Sequence, residues 1–279
     1  MNLSNKDPRN EFALMLARED HQIDLIEAAL LIAVEGRPDI DPNDCYLRIE
    51  NLAREANDHV DLNQNTRAAA KDLCDFLYQH SGYSGDHRDY YNPENSYFDR
   101  VLERRKGIPI TLALVYICVG RTLGLHVEPV GFPGHFLVKI IGDEEVLVDP
   151  FSGQVLSEED CQELLKICTQ GTVTFKPEHL ETVSNREVLR RMLNNLKAIY
   201  MGREELSEAL GVCDRLLMIS RDSPRDLLDR AQILEKLECY ASAAEDLEYL
   251  LTLTPPPQVS EAVRKKITAL RNRDGGKLH

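Results

Sequence analysis

The sequence predicts an α+β fold, mostly helical: one domain gathers helices around a small antiparallel sheet, and an α-helical tail follows. Three observations carry this. Apolar residues recur at helical spacing through most of the 279 residues. Strand-like patterning is confined to one block, Val127–Val130, His135–Ile141 and Val146–Val148. From Asn185 onward no strand pattern returns.

Taken in order, residues 9–20 and 23–36 show helical spacing. The second run is apolar enough to be a central buried helix ended by Gly36 and Pro38. Two amphipathic helices follow over 43–60 and 65–80, with Asp41 or Asn43 capping the first and Asn65 or Thr66 the second. The stretch 81–95, SGYSGDHRDYYNPEN, is polar and rich in Gly and Tyr. Two readings stand side by side: a functional loop, and a packed Ω-loop held by Tyr83, Tyr90 and Tyr91.

Asn95 or Ser96 is expected to cap a helix running to about Arg105 and stopped by Gly107. Pro109 suits the first turn of the next helix, which is apolar nearly all round and therefore buried, with Gly124 at its end. Gly142-Asp143 marks a hairpin turn. Ser157 caps a helix over 158–168, Thr172–Phe175 reads as one more short strand, and 177–184 reads as a linker.

The tail predicts helices near 186–201, 204–219, 224–236, 240–253 and 258–272. Ala209, Leu216 and Leu217 return 34 residues later as Ala243, Leu250 and Leu251. Helix pairs at that period have tetratricopeptide spacing, with an ordinary helical bundle as the alternative. The expected domains are 1–180 and 185–279.

Composition narrows the function. The net charge is −14, with 47 acidic against 33 basic residues, so phosphate backbones repel the chain. Trp is absent and aromatics make up 6%, which opposes a base-stacking surface. No nucleic-acid partner is expected. No apolar run of about 18 residues occurs, so no membrane span is expected either. The seven cysteines are odd in number and contain no Cys-x-x-Cys pair, which favours buried free thiols in a reducing cytoplasm. No Walker loop, dinucleotide fingerprint or metal-ligand spacing is present, so neither cofactor nor metal is expected.

His135, in Pro133-Gly134-His135, and Asp149, at the end of the next strand, are placed to meet across a hairpin. An Asp accepting from one imidazole nitrogen would orient the ring and favour its charged form. A nucleophile belongs at the start of the buried helix, where the dipole lowers a thiol's pKa. The residues there are Gly107, Ile108, Pro109, Ile110 and Thr111, none of them Cys. Cys118 lies about nine residues further in, roughly 13 Å along the axis, and reads as core. Thr111 carries a hydroxyl near the right place, although such a hydroxyl more often bonds local backbone.

At these residues a resemblance emerges. NPENSYFDRVLERRKGIPITLALVYICVGRTLGL, PGHFLVKI, VDPFSGQVLS and NREVLRRMLNNLKAIY resemble the bacterial Sir-B-one family, over roughly residues 28–253. The resemblance implies a papain/transglutaminase-like domain followed by tetratricopeptide helices. The wider superfamily uses Cys-His-Asp. Carried over by position, His135 and Asp149 match the His and Asp, while the Cys position falls at Pro109–Ile110. The expectation is a non-catalytic scaffold that takes a protein or peptide in a cleft lined by Asn95, Arg104, Arg105 and Pro133 and on the tail. The alternative is a cysteine-less hydrolase or acyltransferase using Thr111, His135 and Asp149.

Overall fold

The computed structural model describes residues 7–34, 37 and 40–275. It divides into two compact units, residues 1–192 and 193–279, with the division inside one helix. Among the described residues there are twelve α-helices, a four-stranded antiparallel sheet and one short parallel strand pair.

In the first unit, α1 (Pro8–Leu16) stops earlier than its apolar spacing predicts and gives way to a 3-10 turn at Asp20–Gln22. That turn has a use: the Asp20 carboxylate accepts from the backbone N–H groups of Asn185 and Arg186, which satisfies donors at the start of α8 (Asn185–Gly202). Helix α2 (Leu25–Val34) is buried almost throughout, as its apolar run predicts; its expected end signals, Gly36 and Pro38, lie outside the described residues. Asp41 caps α3 (Pro42–Ala56) and Asn65 caps α4 (Thr66–Cys74). Beyond Cys74 the predicted helix widens into a π-type turn, Asp75–His80.

The loop 81–95 is tied down by backbone pairing that the sequence did not reveal. β1 (Ser84–Gly85) runs parallel to β2 (Lys106–Gly107), and the Gly85 N–H donates to the Phe151 carbonyl at 3.1 Å. Two-residue strands carry no period to detect. Neither Asn95 nor Ser96 caps the following helix. Asn92 caps a 3-10 turn at Pro93–Asn95, and α5 (Phe98–Arg104) begins after Tyr97. Nor does Gly107 stop it: Arg105 takes the left-handed conformation, φ 56°, and ends the helix two residues sooner.

Pro109 opens α6 (Pro109–Thr122), the buried centre of the unit. It packs against α3, α5 and two strands of the sheet, β3 (His126–Val130) and β4 (Leu137–Ile141). Gly120 lets the helix approach closely, since a methyl group there would stand 2.6 Å from Val127. The sheet continues through β5 (Glu145–Asp149) to β6 (Gln154–Leu156), all neighbours antiparallel. Alternation divides its faces. Val127 lies toward α6, while Val130, Leu137 and Leu156 join Cys161 and Leu165 of α7 (Glu158–Thr169) in a separate apolar cluster.

Two strand expectations need correction. β6 was not anticipated, because three residues after a turn show no alternation. Thr172–Phe175 forms no strand despite its β-branched residues, since β propensity measures fit to a pleated surface rather than a backbone preference.

The second unit stacks α9 (Leu206–Ile219), α10 (Pro224–Lys236), α11 (Tyr240–Thr252) and α12 (Pro257–Gly275) in chain order, each against the next. The repeat holds in three dimensions. Ala209 and Ala243 are both fully buried, and so are Leu216 and Leu250. Arg230 on α10 binds Asp214 on α9 and Asp246 on α11, both at 3 Å or less (2.8 and 2.6 Å), tying successive helices together.

Candidate functional site

The structure brings His135 and Asp149 together. Phe132-Pro133-Gly134-His135 forms a tight turn in which the His135 N–H donates to the Phe132 carbonyl at 3.1 Å. Pro133 presets φ at the first central position, and Gly134 supplies the positive φ (71°) of the second. His135 therefore stands just ahead of β4 rather than inside it as expected, and its ring turns toward the end of β5. The imidazole Nε2–H donates to Asp149 Oδ1 at 2.8 Å, with the two side chains 8% and 6% exposed.

Asp149 is held on all sides. Oδ1 also accepts from the Phe151 N–H at 2.9 Å, and Oδ2 accepts from the Ser152 hydroxyl at 2.7 Å. Burial raises its pKa, but the bonds from His135, Ser152 and Phe151 outweigh that and hold it below the ordinary value. For His135, burial lowers the pKa; the bond to Asp149, a bond to Cys168 and the charge of both raise it further, to about 9. The pair is an imidazolium–carboxylate at neutral pH.

Cys168, in the last turn of α7, is the residue that sequence reasoning missed. It is the second side chain, after Asp149, that holds the imidazole's pKa up. A methyl group at Gly134 would stand 3.0 Å from its Cβ and 3.0 Å from its carbonyl oxygen, so the missing side chain at Gly134 is what lets α7 approach the turn. In the sequence Cys168 is one of seven scattered thiols on an amphipathic helix, and nothing in its spacing from His135 announces the contact. Arg191, also missed, fixes the same turn: its Nη2 donates to the carbonyls of Phe132 and His135 at 2.8 and 2.5 Å. Phe151 stacks edge-on to His135, Tyr90 and His87, closing one wall with the 81–95 loop.

Thr111, Asn95 and Arg104 belong to a different network. The Thr111 hydroxyl donates to the Asn95 carbonyl at 2.7 Å and accepts from the Ile108 N–H at 3.2 Å, capping the start of α6. The Asn95 amide donates to the Asp89 carbonyl at 2.7 Å and to Asp86 at 3.2 Å, while its oxygen accepts from Arg104 at 2.9 Å. Arg105 donates to the Ser81 carbonyl at 2.9 Å. These groups brace the loop.

In the second unit, Leu217, Arg221, Leu227, Arg230, Asp246 and Tyr249 line a cleft of about 280 Å³ across α9, α10 and α11. The Arg221 guanidinium lies 5.1 Å over the Tyr249 ring. Among the described residues no cluster suited to a metal ion occurs, and no helix is long and apolar enough to cross a membrane.

Known proteins share the two-part architecture. The transglutaminase-like superfamily pattern matches residues 43–194, and the tetratricopeptide repeat pattern matches residues 196–268. A UPF0162 protein of Xylella fastidiosa is 33% identical over 91% of this chain and 92% of its own length. A UPF0162 protein of Vibrio cholerae is 28% identical over 95% of this chain and all of its own. Protein SirB1 of Salmonella typhimurium is 26% identical over 89% and 93%.

Proposed function

Since the chain belongs to the transglutaminase-like superfamily and carries tetratricopeptide repeats behind that domain, we propose that it works as a protein- or peptide-binding scaffold. The observation that carries this reading is the start of α6. The superfamily places its nucleophile there, and this chain has Pro109, Ile110 and Thr111 instead, all buried. The Thr111 proton is engaged by the Asn95 carbonyl, so a hydrolase built on Thr111 has less support.

Repeat helices of this type commonly bind peptides in the grooves between them. The cleft on α9–α11 offers the needed mixture: apolar floor from Leu217 and Leu227, a cation and an aromatic ring at Arg221 and Tyr249, and acids at Glu245 and Asp246. We place the protein in a reducing compartment, consistent with seven cysteines that are all free.

Affinity capture with the purified full-length chain tests the reading. Specific proteins should be enriched by the wild type and lost with Tyr249→Ala and with Leu217→Lys, both verified as folded. Identical recoveries from wild type and both variants would contradict a binding role for this cleft.

A further inference from the structure

The binding role leaves one chemically competent group unused, the Cys168 thiol. Three features converge on it. The α7 backbone rests against the Gly134 turn, which puts Cys168 beside the residue preceding His135. Asp149 occupies Nε2 of the imidazole and leaves Nδ1 as its other edge. And Cys168 is partly exposed, whereas Cys45, Cys74, Cys161 and Cys213 are buried.

We propose that Cys168 reacts as a nucleophilic thiolate held by the charge of the His135 imidazolium, with Asp149 as the positioning residue behind His135, and that small disulfides are its co-substrate. Nucleophile, imidazolium and orienting carboxylate are then drawn from neighbouring elements: α7, the 132–135 turn and β5. The step balances without any further oxidant. Cys168 gives its proton to solvent, and the thiolate, beside the His135 imidazolium, attacks one sulfur of the disulfide. A new S–S bond forms to Cys168 as the old one breaks, and the departing thiolate takes a proton from solvent. Exchange of this kind needs only a thiolate and access, with no donors for a tetrahedral oxyanion.

The activation comes from the imidazole. Cys168 sits at the C-terminal end of α7, where the helix dipole disfavours a negative charge. The other titratable group facing it is Tyr90, which burial keeps neutral; Arg191 lies beside Tyr90.

The inference is independent of what the repeat cleft binds, and its test uses a different readout. Fully reduced, full-length protein is treated with bis(2-hydroxyethyl) disulfide, a neutral probe that the −14 net charge does not repel. Modification is followed site by site by peptide mass spectrometry. Cys239 is exposed and serves as the reference within the same molecule. Access alone ranks Cys168 below Cys239; the proposal ranks it above by about tenfold. His135→Asn should bring Cys168 below Cys239, with Cys239 itself unchanged. A wild-type rate at Cys168 equal to or lower than that at Cys239 overturns the proposal without recourse to any variant. So does a rate at Cys168 that His135→Asn, verified as folded, leaves unchanged.

Discussion

Two buried networks in the first unit use similar groups to opposite ends. At the start of α6, Thr111, Asn95 and Arg104 form a chain that ends on the loop: the hydroxyl proton is committed to a carbonyl and the amide bonds on both edges. At the sheet edge, His135 and Asp149 form a charged pair with a thiol on the far side of the imidazole. The first network closes on itself and gives the loop a fixed shape. The second leaves a titratable ring between a fixed carboxylate and a partly exposed sulfur. Similar buried groups thus brace a loop in one place and hold a charged pair in the other.

Asp149→Ala should have the largest effect. It leaves the His135 ring buried without its carboxylate, and breaking a buried ion pair costs about 3–5 kcal/mol. Urea denaturation measures it; a loss near zero would mean that the pair contributes nothing to the fold. Thr111→Val should cost less, about 1–3 kcal/mol, by removing the hydroxyl that both groups share and leaving the Ile108 N–H and the Asn95 carbonyl only their long bond to each other, 3.4 Å. It should also raise amide exchange across 86–95 while leaving the His135 turn protected. Protection lost equally at both places would erase the distinction between the networks.

Gly134→Ala should cost about 1–2 kcal/mol from the left-handed backbone alone. It should also push α7 away from the turn, because the new methyl meets Cys168 at 3.0 Å. A stability equal to wild type would place Cys168 further from His135 than described.

The smallest effect is on pH dependence. The folded His135 pKa, about 9, lies above its ordinary 6.5. Its contribution to stability is therefore complete below about 6.5 and disappears as pH rises through about 9. Asp149, held low, contributes above the ordinary carboxylate range and loses that contribution as pH falls through its lowered value. The difference between wild type and Asp149→Asn should accordingly shrink from pH 6 toward alkaline pH; a constant difference across this range would oppose the pairing.

What the sequence made legible follows the length of each signal. Helices of ten or more residues with an apolar stripe were placed within a few residues, and the echo of Ala209 and Leu216 in Ala243 and Leu250 reported equivalent burial. His135 and Asp149 were legible because a hairpin brings nearby positions together. The two-residue β1 and β2, the Arg105 stop and the absent strand at Thr172 depend on tertiary partners that local pattern does not encode. Cys168 was hidden for the same reason. Its approach depends on a glycine in a separate turn.

The central claim is that the His135 imidazole answers to Cys168 and not to Thr111. An NMR pH titration of the His135 ring in wild type, Cys168→Ser and Thr111→Val measures this directly. The account predicts a lowered His135 pKa in Cys168→Ser, where an ionisable partner is lost, and an unmoved one in Thr111→Val. A titration shifted by Thr111→Val and untouched by Cys168→Ser would contradict it.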